Sequence, residues 1–206
     1  MSDRMKKATT ILLLILLWTI SASAQEAFSS ARWRFSMTLP EFWISMDKKT
    51  RDAISDNFEF SEEALKKILD GDKGTTLVAA YYYRNPERGM NVHPQVQVAA
   101  RRKSAMEFAA FRRQMLASTA SFKQVFPDIV FSEPKEIEIS GIRSVLMTGV
   151  FTIKGPDDRV LRARSRIYAV PLANYFFQIT LNDGQDRDAD FSKEFEELVK
   201  TIRIGK

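Results

Sequence analysis

The sequence predicts an α+β fold: a single domain with a predominantly antiparallel sheet, of about six to seven strands, and helices segregated from it. Three observations carry this. Many short segments alternate apolar and polar residues with period two, the mark of half-buried strands. Two longer segments, 104–122 and 190–202, repeat their apolar residues at helical spacing. The strand segments follow one another through short turns, which favours antiparallel pairing over parallel crossovers. The chain of 206 residues has no internal repeat, low-complexity segment or Pro/Gly/Ser-rich linker, so residues 25–206 read as one domain.

Residues 1–24 read as a cleaved signal peptide. Arg4, Lys6 and Lys7 precede the apolar run Ile11–Ile20, and Ala22 and Ala24 supply the small-x-small pattern before a cleavage point after Ala24. The run is about half the roughly 20 residues that span a bilayer. The chain has no cysteine, so disulfides, thiolate metal sites, thiol nucleophiles and lipid attachment beside the leader are all excluded. The expectation is an exported protein, periplasmic or secreted, with no stable membrane insertion after cleavage. The formal charge is +5, about +3 without the leader, too mild for a dedicated nucleic-acid binder.

After the leader, Trp33, Phe35, Met37 and Leu39 alternate with polar residues as a half-buried strand, which Pro40 breaks. Phe42–Met46 reads as a second short strand. Phe60–Gly71 reads as a short helix, with Ser61 to cap it, Glu62 and Glu63 in its first turn and Gly71 to stop it. Strands follow at Thr75–Arg84 and His93–Arg101. The helix at 104–122 has Ser104 and Glu107 in capping-box spacing and Phe108, Phe111, Met115 and Phe122 on one side. Four strands follow, at 136–140, 143–153, 159–170 and 174–181. A last helix at 190–202 turns Phe191, Phe195, Leu198 and Ile202 inward.

The strand Arg159–Val170 places Arg162, Arg164 and Arg166 at alternate positions, hence on one face. If residues 155–159 form a five-residue hairpin loop, Lys154 pairs with Val160. Ile153, Phe151, Gly149 and Met147 then face Leu161, Ala163, Ser165 and Ile167. The arginines lie beside Thr152, Val150 and Thr148, on the less buried face of the sheet. Gln95, Gln97 and Arg101 alternate in the same way, as do Glu136 and Glu138. The glutamates are expected to share that outer face and offer partners to the arginines. The row is either a solvated, salt-bridged face or a docking strip for carboxylates or phosphates.

No catalytic constellation is legible. The single histidine, His93, stands at a strand entry before a proline with no nucleophile elbow elsewhere. The eight glycines form no phosphate-cradling pattern. Asp186, Asp188 and Asp190 have the spacing of a calcium loop, with Glu197 at its twelfth place, but Phe191 occupies the place of the turn glycine. The plainer reading is that these aspartates favour the start of the last helix, leaving no metal and no cofactor. Tyr82 points away from Tyr81 and Tyr83, and a tyrosine near arginines suits a protein interface.

Four segments resemble PsbP-like and Mog-type domains. "LPEFW" is similar to their opening turn, with Phe42 where glycine is common. "NVHPQVQV" is similar to their middle strand, with His93 in place of asparagine. "ISGIRSVLMTGVF" resembles their glycine-led turn into a hairpin strand, and "NYFFQITL" with "FSKEFEELVKTIRI" their closing strand and helix. The resemblance implies an α/β/α sandwich and a non-catalytic, protein-binding role. The expected function is an exported non-enzymatic accessory protein docking on another envelope protein, with Arg162, Arg164, Arg166, Tyr82 and His93 as candidate binding residues. Two alternatives stand beside it: a binder of anionic glycan or lipid headgroups through the arginine row, and a carboxylate-dependent hydrolase.

Overall fold

The computed structural model describes residues 26–45, 74–82, 92–154, 159–185 and 190–205. The predicted leader, the predicted helix 60–71, the hairpin loop 155–158, Tyr83, Asp186 and Asp188 lie outside the described residues.

The strands are β1 (Ala27–Ser30), β2 (Phe35–Thr38), β3 (Trp43–Ser45), β4 (Thr75–Tyr82), β5 (Gln95–Arg102), β6 (Val130–Phe131), β7 (Lys135–Ile139), β8 (Ile142–Lys154), β9 (Val160–Pro171), β10 (Tyr175–Gly184) and β11 (Arg203–Ile204). The helices are α1 (Phe108–Val125) and α2 (Ser192–Thr201). The main sheet runs β3-β4-β5-β10-β9-β8-β6, with β7 also on β8, and every pairing is antiparallel. A second sheet, β1-β2-β11, joins the two ends of the described chain. The α+β class stands, but with more strands than expected. β1, β6 and β11 escape sequence reading because runs of two to four residues are too short to show a period.

Helix α1 covers one face of the main sheet. Its Phe111 and Met115 are buried on Val145, Met147, Ile167, Ala169 and Phe176, the stripe that helical spacing predicts. The capping box does not form: the helix begins later, with Glu107 as its cap residue and no side-chain cap bond. Helix α2 and the small sheet cover the other face. Phe191, Phe195, Leu198 and Ile202 meet Phe35, Met37 and Leu39 over Val96, Val98, Val170, Phe177, Ile179 and Leu181.

Two turns show how local chemistry sets register. Ser140 and Gly141 link β7 to β8 with φ +52° and +72°, the two-residue turn whose twist matches a hairpin. The Ser140 hydroxyl also accepts the Ile204 N–H at 3.0 Å, tying β11 to this corner. Phe42 has φ +70°, a conformation that glycine adopts freely and a phenylalanine holds only under strain.

Hairpin β8–β9 has the expected register, with Lys154 on Val160, Phe151 on Ala163 and Met147 on Ile167. Gly149 has a second reason to be small: Phe131 of β6 lies across it, and a Cβ there would sit 2.8 Å from the ring. Gly149→Ala should displace Phe131 from its edge-to-face contact with Phe122 and destabilise the protein by about 1–3 kcal/mol. Gly141→Ala meets no atom within 4 Å, so its cost is conformational alone, about 1 kcal/mol. Urea unfolding of both variants measures the two costs separately.

Candidate functional site

The arginine row lies on the face that carries the larger core, not on a less buried one. Along β9 the same face runs from Val170 and Tyr168, both in the core, through Arg166 and Arg164 to Arg162. The expectation fails at α2, which lies over the apolar half of this face and brings its N-terminal end onto the arginine half. The side chains of Arg166 and Arg164 are only 12% and 17% exposed. Arg162 is exposed.

The residue that organises the row is Asp183, on β10 directly opposite Arg164. It is fully buried. Arg164 grips it with two bonds, Nε to Oδ1 at 3.0 Å and Nη2 to Oδ2 at 2.6 Å. Arg166 adds Nη1 to Oδ1 at 3.1 Å, and the backbone N–H of Phe191 donates to Oδ2 at 3.0 Å. Four donors thus satisfy the two oxygens, which is what allows an ionised carboxylate to sit away from water. Asp190 extends the cluster, accepting Arg164 Nη2 at 2.6 Å and the Ser192 N–H at 2.9 Å. Arg166 also donates to the Ser192 hydroxyl and lies over the ring of Phe195.

This cluster fastens the start of α2 to the sheet. The residue before the helix, Phe191, is held by Asp183 through its N–H, and its ring meets Tyr82 edge-on at 4.6 Å. Hydrogen bonds from the Ser192 hydroxyl and backbone, with Arg164 adding to them, bring the Asp190 carboxyl down to about 2. Bonding to Asp183 and then Asp190 raises Arg164 above its usual value.

The expected sites fare differently. Arg164 and Arg166 come together, on an aspartate rather than on a surface ligand. Tyr82 is a packing residue against Trp43 and Phe191, on the same sheet face as the arginines. His93 is exposed just before β5, and no side-chain bond joins it to the cluster. Glu136 and Glu138 do not reach the row: they alternate onto the α1 side, where Glu136 takes both its bonds from Arg143. Gln95 and Gln97 are also on the α1 side, level with Asn182 and Thr180. Of the aspartates with calcium-loop spacing, Asp190 is the described one, and it is occupied by Arg164 and Ser192. Among the described residues, no three of His, Asp or Glu gather as a metal site. No helix among them is long and apolar enough to cross a membrane.

Asp183 escaped sequence reasoning, although its signal was present. With Ala173 and Asn174 as a two-residue turn between β9 and β10, counting outward pairs residue 183 with residue 164.

No family model and no curated protein matches the chain. Solved structures do, at the level of fold. Cyanobacterial PsbP (CyanoP) of Synechocystis matches with TM-score 0.51 and 11% identity, over 91% of this chain and 96% of its own. LpqN of Mycobacterium tuberculosis, described as involved in cell envelope biogenesis, matches with TM-score 0.50 and 9% identity, over 90% and 87%. A Bacteroides thetaiotaomicron protein matches with TM-score 0.50 and 16% identity over 88% of this chain, which spans about half (49%) of that protein's length. The fold is PsbP-like.

Two outcomes test the cluster. Asp183→Asn leaves the largely buried Arg166 without a carboxylate and Arg164 with Asp190 alone and should cost about 3–5 kcal/mol, whereas exposed Arg162→Glu should change stability by less than about 0.5 kcal/mol; urea denaturation reads both. Asp190 has a lowered pKa in the folded state, so its contribution is present above the ordinary carboxylate range and disappears as pH falls toward 2. The protection factors of the Ser192 and Lys193 amides against exchange should therefore fall between about pH 4 and pH 2, and Asp190→Asn should abolish that dependence.

Proposed function

We propose that this protein is an exported, non-enzymatic accessory protein that docks on another protein of the cell envelope. In this reading the segment 1–24 is removed on export and residues 25–206 act as one unit, a PsbP-like domain related in architecture to the Mog-type domains. The observation that carries it is the shared fold over about nine-tenths of the chain with LpqN and CyanoP. The first of these is described as taking part in cell envelope biogenesis, and the leader pattern of this chain points to the same compartment. Such a fold presents the faces of a sheet and two helices, and here the charge cluster around Asp183 is turned inward to hold α2.

The arginine row contributes one residue to this function, Arg162. A triple arginine variant would detach α2, so the informative substitution is Arg162→Glu. Tagged chain 25–206 is expressed in its native envelope, cross-linked in place and recovered beside that variant. The expected result is one stoichiometric protein partner, retained by the wild type. Recovery of glycan or anionic lipid instead, lost with Arg162→Glu, replaces the docking reading with headgroup binding. Substrate turnover without a partner removes the accessory role.

A further inference from the structure

An open groove of about 330 Å³ lies between α1 and the connection from β6 to β7, lined by Phe108, Arg112, Arg113 and Leu116 of α1 and Glu133 and Pro134 of the connection, among others. That volume is at the small end of ligand pockets, about 300–1,000 Å³, and suits a stretch of two or three residues. Resting on the docking reading above, we infer that this groove receives a short segment of the partner protein in which a carboxylate side chain stands next to an aliphatic one.

The charge in the groove supports that occupant. Glu136 and Arg143 cancel one another through two hydrogen bonds, and the Arg143 guanidinium lies 4.3 Å from the centre of the Phe108 ring. Arg112 gives one bond to the Pro134 carbonyl at 2.9 Å, which spans the groove and orients its guanidinium. A guanidinium has five N–H donors, and this one makes no hydrogen bond to a carboxylate among the described residues, although its charge adds to that of Arg143 in lowering the pKa of Glu136. Arg113 makes no such bond either. Two cations therefore face one acid, Glu133, and the surplus fits one carboxylate, not a polyanion.

The apolar contact comes from Leu116. It stands four residues after Arg112 and three after Arg113, so one turn of helix brings it beside both. It is 42% exposed, and Phe108 stands one turn before Arg112. A branched side chain of the partner covers Leu116 while its neighbouring carboxylate meets the arginine pair. A fatty acid fits less well, since its tail needs a deep apolar tunnel and this groove is short, open and rimmed by Glu133 and Glu136.

The test uses the 25–206 chain, ¹⁵N-labelled, titrated with acetyl-Ser-Leu-Glu-Leu-Gly-amide, with the same peptide carrying Gln for Glu, and with octanoate. Shifts confined to Ala109, Arg112, Arg113, Leu116 and Glu133 are expected, with binding at least fivefold weaker for the Gln peptide. The same loss is expected for the exposed substitutions Arg113→Glu and Leu116→Ser, which leave the Arg112–Pro134 bond in place. Equal binding of the two peptides, or shifts scattered over the surface, overturns the inference, and so does tighter binding of octanoate. In parallel, a photo-cross-linking residue is placed at position 116 or at position 162 in the native envelope. A protein cross-link at 116 and not at 162 is expected. A cross-link at 162 alone, or none at either position while the tagged chain still recovers a partner, overturns the groove and leaves docking intact; no cross-link and no recovered partner overturns both.

Discussion

The buried carboxylate of Asp183 is the constraint on which the C-terminal half of the structure depends. An ionised group out of water needs every lone pair answered. Here the answers come from two strands and the start of a helix: Arg164 and Arg166 from β9, and the Phe191 N–H at the entrance to α2. The charge therefore fixes where α2 begins relative to the sheet. Once that end is fixed, helical spacing delivers Phe195, Leu198 and Ile202 onto the apolar half of the same face. Dispersion and burial provide most of the cohesion, but they are indifferent to small slides of the helix, and the hydrogen-bonded cluster is not.

The same arrangement determines which surfaces remain for binding. A strand with three arginines on one side looks like an open cationic strip. Two of the three are enclosed because the sheet face they occupy is the one α2 covers. Free guanidinium donors are found instead on α1, where Arg112 and Arg113 flank an exposed leucine above a groove. The number of arginines in a stretch therefore says little about its availability. What matters is whether an acidic residue is paired with it across the sheet.

Local patterns were legible wherever the physics is local. The alternation at Phe35, Met37 and Leu39, the stripe of Phe111 and Met115 on α1, and the inward set of α2 all read directly, because period and burial are linked along a single element. The β8–β9 register was also legible, since a loop one residue shorter would mix the apolar and polar faces. Strands β1, β6 and β11 were not, for runs this short with no apolar alternation of their own exist only because a neighbouring strand pairs with them. The capping box at Ser104 and Glu107 matched the spacing but formed no cap, since spacing cannot say on which turn the chain enters the helix.

By itself the sequence determined the α+β class, most strands and both described helices, the hairpin register and the faces that α1 and α2 bury. It also set the expectation of export and the absence of thiol chemistry. Tertiary structure alone decided which sheet face lies under α2, that Asp183 would claim Arg164 and Arg166, and that Glu136 would find Arg143. The reason is physical: a side chain's face follows from its own strand, but its partner and its exposure depend on groups 7 to 26 residues away in the chain, brought near only when strands pair and the layers close.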